Sequence, residues 1–189
     1  MSTRREQILH NAIALIVSKG YAALTMRAVA RNSDLTLGAL QYHYPTRNDL
    51  LNGLTNFIAA QYTRSFAAYV DGLDADVSLL HASLDFSLVD PVEPIFKTDR
   101  LFPQLWAMSL VEPSVKELLD NLYQEYLSFL EECLRQRGVT APQSDALVLM
   151  GMFEGLTLFV ARGQRWEAQL PSTIAAARAF IDARYNDPR

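Results

Sequence analysis

Apolar positions recur every three or four residues from the start of the chain. Ile8 or Leu9, Ala12, Ile13, Ile16 and Val17 form one stripe, the spacing of a helix with a single buried face. Lys19-Gly20 closes it, with a cation in the last turn and a residue free to adopt left-handed geometry after it. Thr25 opens a second helix, Met26 to about Asn32, with a hydroxyl able to accept a bond from a first-turn N–H, worth about 1 kcal/mol. Asn32-Ser33-Asp34-Leu35 is a break. Thr36 caps a third helix, Leu37 to about Tyr44, and Pro45 stops it, because the residue before proline avoids the helical region. Thr46-Arg47-Asn48-Asp49 sets an acid three residues after a hydroxyl, a capping-box analogue that starts a long helix to about Val70.

Five further helical segments follow. They span 74–89, about 101–111, Pro113 to Arg137, 143–162, and Pro171-Ser172 to about Tyr185. Asp90 to Pro94, with two prolines, reads as a break. No segment alternates apolar and polar residues long enough for a strand, and nothing repeats. The pattern predicts an all-α protein. An N-terminal three-helix helix-turn-helix domain over 1–46 is fused to a C-terminal helical bundle over 47–189. The boundary falls inside the long helix after Pro45, so a rigid element joins the two parts.

Two short helices across a tight break, with a supporting first helix, are the geometry of a DNA reader. The first of the pair crosses the backbone and the second enters the major groove. The entering helix must be slim. Leu37-Gly38-Ala39-Leu40 puts small residues near its N-terminus, where N–H groups face phosphate. Gln41, Tyr42 and His43 add amide, phenol and imidazole, and Arg47 can grip the flanking backbone. Leu24, Val29, Ala30, Leu35, Leu40 and Tyr44 read as internal packing.

The run from Gly20 to Ala30 (GYAALTMRAVA), followed by Leu35 to Leu51 (LTLGALQYHYPTRNDLL), resembles the signature of the TetR (tetracycline repressor) family in spacing and residue type. The resemblance covers about 45 residues, and the later helices fit the family layout. It implies an all-helical homodimer that represses a nearby promoter and is released by a small-molecule effector. It also implies that Thr25, Arg27, Tyr42, His43 and Arg47 hold phosphates, with Thr36 and Gly38 at the helix start, and that Leu37, Ala39 and Gln41 face base edges. Three positions depart from the family pattern. Asp34 stands where the turn usually has Gly, Gln41 where Tyr is commonest, and Arg47 where Lys is usual.

Charge sharpens this division. The first 50 residues carry six basic and three acidic side chains, whereas the remaining 139 carry 11 and 18, so a net −4 hides a basic head on an acidic body. Arg4 and Arg5 read as a solvated tail, or alternatively as an arm onto DNA. A single cysteine, Cys133, excludes an internal disulfide and reads as inert packing. Three scattered histidines give no metal spacing, and there is no phosphate loop or dinucleotide fingerprint. No metal, cofactor or enzymatic activity is therefore expected. No signal-type segment is read, and Glu154 interrupts the longest apolar run, Ala146 to Ala161, which reads as a buried helix rather than a membrane span. A soluble cytoplasmic protein without a membrane partner follows. A ligand-independent architectural DNA binder, a protein-interaction module, and less readily an all-helical enzyme are the alternatives.

The C-terminal half offers aromatic and thioether surface for a largely apolar effector. Phe102, Trp106, Met108, Tyr123, Tyr126, Met150 and Phe153 are the candidate contacts, with Phe96, Met152 and Phe159 in the same composition. Glu154, set among Met150, Met152, Phe153, Leu156 and Leu158, needs a partner: a group across an interface, or a hydrogen-bonding or cationic ligand. Gly151 and Gly155 would let another helix come close. With Ala177, Phe180 and Ile181 of the last helix they mark the expected dimer interface, which would place two recognition helices on a near-palindromic operator of double-stranded DNA.

Overall fold

The computed structural model describes residues 3–89 and 98–185, so Phe96 and the Asp90–Pro94 break lie outside the described residues. Nine α-helices are present among them: α1 (Arg4–Lys19), α2 (Met26–Asn32), α3 (Leu37–His43), α4 (Arg47–Asp71), α5 (Leu79–Val89), α6 (Thr98–Ser109), α7 (Pro113–Gln136), α8 (Pro142–Val160) and α9 (Leu170–Tyr185). The described residues contain no strand. The chain folds as two compact units, Met1–Arg64 with Val92–Leu122, and Ser65–Pro91 with Tyr123–Arg189.

The first unit grows from local capping chemistry. Thr3 Oγ1 accepts the Glu6 N–H while Glu6 accepts the Thr3 N–H at 2.7 Å, a reciprocal box that starts α1. Gly20, at φ 78°, ends it and donates to the Ile16 carbonyl at 2.8 Å. The predicted stripe is buried except for Val17, and Leu15 joins it. Arg4 and Arg5 are not a loose tail. They lie in the first turn of α1, Arg4 donating to the Ser33 carbonyl at 3.0 Å and Arg5 stacked over the Tyr44 ring at 4.8 Å. The physical reason is the Thr3 cap, which brings both into the helix.

Leu24, Val29, Ala30, Leu40 and Tyr44 are buried as expected, whereas Leu35 is half-buried. Tyr44 ends α3 with its ring against α4, where Gly53 leaves space for it. A Cβ at Gly53 would lie 2.7 Å from Tyr44 Cε1. Thr46 and Asp49 form the predicted box, the carboxylate accepting the Thr46 N–H at 2.9 Å and Thr46 Oγ1 accepting the Asp49 N–H at 3.1 Å. In the same unit Leu101, Leu105, Met108 and Val115 bury the inner faces of α6 and the start of α7.

The second unit packs α5, α8, α9 and the later part of α7 around Leu80, Leu84, Leu130, Leu149, Phe153 and Ile181. Helix α5 starts at Leu79 rather than 74, because Ser78 Oγ caps it by accepting the His81 N–H at 3.3 Å. Cys133 is buried, as packing predicts. Helix α8 departs from the expectation of a buried helix. It has the length and hydropathy of a membrane span but only a third of the span window is buried. Its core face carries Ala146, Leu149, Met150 and Phe153, while Leu147 and Val148 (each 56 % exposed), Leu158 and Phe159 face outward. The cause is one-sided packing: the elements of its own unit cover one side only.

Replacing Gly53 with Ala forces its methyl into the Tyr44 ring, so G53A is expected to lose about 1–3 kcal/mol of stability in denaturant melts. A wild-type midpoint in G53A would show that Tyr44 yields freely.

Candidate nucleic-acid interface

The turn between α2 and α3 keeps its shape without glycine. Asp34 holds φ 53°, alone among the described non-glycine residues in positive φ. Its N–H donates to the Arg31 carbonyl at 3.2 Å and the Leu35 N–H to the Ala30 carbonyl at 2.9 Å, the paired bonds of a Schellman cap. Aspartate tolerates this region better than most L-residues, so the turn absorbs a modest strain. Asn11 reinforces it from α1, its side chain donating to Ser33 Oγ and its carbonyl accepting from Asn32 Nδ2 at 3.0 Å.

The turn aims α3 outward. Thr36 Oγ1 accepts the Ala39 N–H at 3.2 Å and Thr25 Oγ1 the Ala28 N–H at 3.2 Å, so both predicted caps form. Each hydroxyl still has a proton to donate, as a phosphate contact requires. Thr25, Arg27, Thr36, Gly38, Gln41 and Tyr42 are exposed, and Leu37, Ala39 and His43 are half-buried. Tyr42 is 85 % exposed, and its ring meets His43 edge-on at 5.3 Å. Leu40 alone on α3 points fully inward.

Arg47 is the exception among the ten predicted DNA residues, because it already holds an anion. Its guanidinium pairs with Glu112 at 2.8 Å. It also donates to the Tyr21 hydroxyl, which in turn donates to Glu112. The Arg47 and Tyr21 bonds hold the Glu112 carboxyl below its usual range, and Glu112 in turn raises Arg47. Burial, with Glu112, raises the Tyr21 phenol. Gln104 Oε1 of α6 accepts the Tyr21 N–H at 3.1 Å. Neither Glu112 nor Gln104 was singled out by sequence. The one available signal was Tyr21 directly after the α1 cap, too bulky and amphipathic to lie idle there.

The candidate effector residues divide between the units. Phe102, Trp106 and Met108 are on α6 in the first, where the Phe102 ring meets Tyr62 at 5.2 Å. Tyr123, Tyr126, Met150, Phe153 and Glu154 are in the second. Tyr126 is buried, donates to the Ser83 carbonyl at 2.7 Å, and packs edge-on against Phe66 at 4.8 Å. The Tyr123 hydroxyl donates to Glu154, yet burial still pushes that carboxyl up to about 7. A cleft of about 240 Å³ lined by Arg137, Asp145, Arg184 and Tyr185 holds none of the predicted effector residues. Among the expected interface residues, Ala177 and Ile181 are corrected. Both are buried in the core of their own unit because they lie on the inner face of α9, leaving Gly151 and Phe180 exposed and Gly155 half-buried.

An all-α fold whose head projects a capped, slender helix past a Schellman turn defines a helix-turn-helix DNA-binding protein. Residues 8–54 match the family described as bacterial regulatory proteins, tetR family. The nicotine-responsive transcriptional repressor HdnoR of Paenarthrobacter nicotinovorans is 22 % identical over 161 residues, covering 82 % of each chain. A transcriptional regulator from Saccharomonospora viridis in complex with choline superposes with a TM-score of 0.81 at 19 % identity, covering 95 % of this chain and 96 % of that one. AibR, in complex with isovaleryl coenzyme A and operator DNA, gives 0.69 at 18 % identity, covering 98 % and 100 %. Residues 8–54 thus form a DNA-binding head of the tetR type, and the proteins to which the chain is similar over most of its length are described as transcriptional regulators, not enzymes.

Two outcomes follow from this geometry. Converting Glu112 to Gln frees the Arg47 charge, so operator binding should tighten at low salt, with the salt slope steeper by about 0.9. Anisotropy titrations across a salt series measure it, and an unchanged slope would place Arg47 away from phosphate. Glu154 keeps its proton when folded at pH values where the unfolded carboxyl, near 4.5, has lost it. Stability should therefore fall by about 1–3 kcal/mol as pH rises from about 4.5 past 7. E154Q should flatten that fall in urea melts, and an equal slope in both proteins would remove Glu154 as its source.

Proposed function

We propose that this chain is a ligand-responsive cytoplasmic repressor that binds a near-palindromic operator as a homodimer and is released by a small-molecule effector. The observation that carries the reading is the exposed face of α3, where Gln41, Tyr42 and His43 stand beside the donors of Thr25, Arg27 and Thr36. That set supplies phosphate grips around a surface able to read base edges. HdnoR, named a nicotine-responsive repressor, supports repression relieved by a ligand.

The outer face of α8 supports a dimer. Leu147, Gly151, Gly155 and Leu158 follow one another at helical spacing, with Val148 and Phe159 beside them and Phe180 exposed on α9. A Cβ at Gly151 or Gly155 would meet nothing of this chain within 4 Å, so internal packing does not require glycine there. A second copy does, if its helix approaches closely. Twofold pairing then sets two α3 helices about one DNA turn, roughly 34–36 Å, or a small multiple apart.

The effector is proposed to act from the helical body through the α6–α7 junction, where Gln104 and Glu112 hold Tyr21 and Arg47. A coupling of about 1–3 kcal/mol suffices for a many-fold change in operator affinity. The test is a gel-shift titration on the DNA upstream of the gene. The wild-type dimer should bind, and Tyr42→Ala with His43→Ala should lose binding at least about a hundredfold with an unchanged circular dichroism spectrum. Wild-type affinity in the double variant would overturn the reading.

A further inference from the structure

Glu154 is a carboxylate without a counter-ion. It sits in the middle of α8, flanked by Met150 and Phe153 of the core, and its hydrogen-bond partner is the Tyr123 hydroxyl. No lysine, arginine or histidine among the described residues pairs with it. Three arginines of the same unit are engaged by other carboxylates: Arg178 by Asp85, Arg184 by Asp145, and Arg135 by Glu131 and Glu132. Withdrawing a carboxylate from water without a cation costs several kcal/mol, and such groups concentrate where a ligand completes them.

The surroundings select the kind of ligand. Tyr126 lies close enough to feel the Glu154 charge. Its ring meets Phe66 at 4.8 Å, and Phe66 meets Phe86 at 5.0 Å and Phe129 at 5.1 Å, an aromatic cluster within one unit. The negative faces of such rings attract a diffuse cation. A metal ion is poorly served there, since the described residues contain no group of three or more His, Cys, Asp or Glu side chains to hold one. We propose that the effector is an organic cation, a protonated amine or quaternary ammonium ion, whose charge lies against the Glu154 carboxylate and whose carbon groups meet the Tyr123, Tyr126 and Phe66 rings. This rests on the ligand-responsive reading and gives that ligand its charge.

The experiment uses the full chain and isothermal titration calorimetry with matched probes: phenyltrimethylammonium against tert-butylbenzene, benzyltrimethylammonium against neopentylbenzene, and benzoate as the anion. In the wild type an ammonium ion should bind about tenfold or more tightly than its uncharged isostere. E154Q should erase that preference while melting at or above the wild-type temperature at pH 8, whereas Tyr123→Phe, which keeps the ring, should retain it. Equal binding of ammonium and isostere overturns the proposal. So does a preference that survives in E154Q, or a failure of both ammonium ions to bind. Operator release read in parallel separates the two claims. Release by an isostere or benzoate, without ammonium binding, leaves ligand response standing and removes the cation. Ammonium binding through Glu154 that leaves operator affinity unchanged keeps the cation site and removes the ligand response.

Discussion

The contact on which the first unit depends is the triangle of Arg47, Tyr21 and Glu112. Its members come from the entry to α4, the turn after α1, and the residue before α7. Each edge is polar and directional, and Gln104 adds a fourth fixed point on the Tyr21 backbone. With the arginine partly exposed, the ion pair contributes only about 1 kcal/mol or less of net stability. Its importance is geometric. An apolar contact between α1 and α6 tolerates sliding, whereas a guanidinium bonded to both a phenol and a carboxylate does not. Under the proposed function, operator phosphate and the Glu112 carboxylate at the α7 start would make competing demands on the one Arg47 guanidinium.

That competition gives the head a reason to respond to events elsewhere. The chain passes between the two compact units inside α4, after Arg64, and inside α7, after Leu122. Helix α7 is thus preceded by Glu112, the partner of Arg47, and carries Tyr123, the partner of Glu154. A helix without an internal break transmits a displacement of one end to the other because its hydrogen-bond ladder resists stretching. Under the proposed function, a ligand seated at Glu154 needs only to bias where α7 rests.

How much of this was readable from the residues follows the range of the interactions. The head was legible because its determinants are local. Thr25, Thr36 and the Thr46–Asp49 box each act within three residues, and all three form. Asp34 was legible as an oddity, and the Schellman bonds show how the turn keeps its backbone without glycine. The Arg47–Glu112 pair was not legible, since the partners stand 65 positions apart and no periodicity links them. Ala177 and Ile181 were misplaced for a related reason. Helical spacing identifies an apolar face, but α9 carries apolar residues on two faces, and only packing shows which is spent on its own core.

Helix α8 joins these threads, because three environments meet around its circumference. Ala146, Leu149, Met150 and Phe153 belong to the core, and Leu147, Gly151, Gly155 and Leu158 form the open stripe. Glu154 follows Gly151 by three residues and Met150 by four, so it lies at the seam between them. A carboxylate in the core would be intolerable without a partner, and one in the centre of the stripe would oppose its own copy across a twofold axis. At the seam it avoids both, and it faces Tyr123 instead. A cation placed there lowers the cost of the charge and adds bulk beside the stripe that the proposed dimer uses. Under the proposed function, the same event reaches the head along α7 and a second copy across α8, so that a small ligand alters the separation of two recognition helices without touching either.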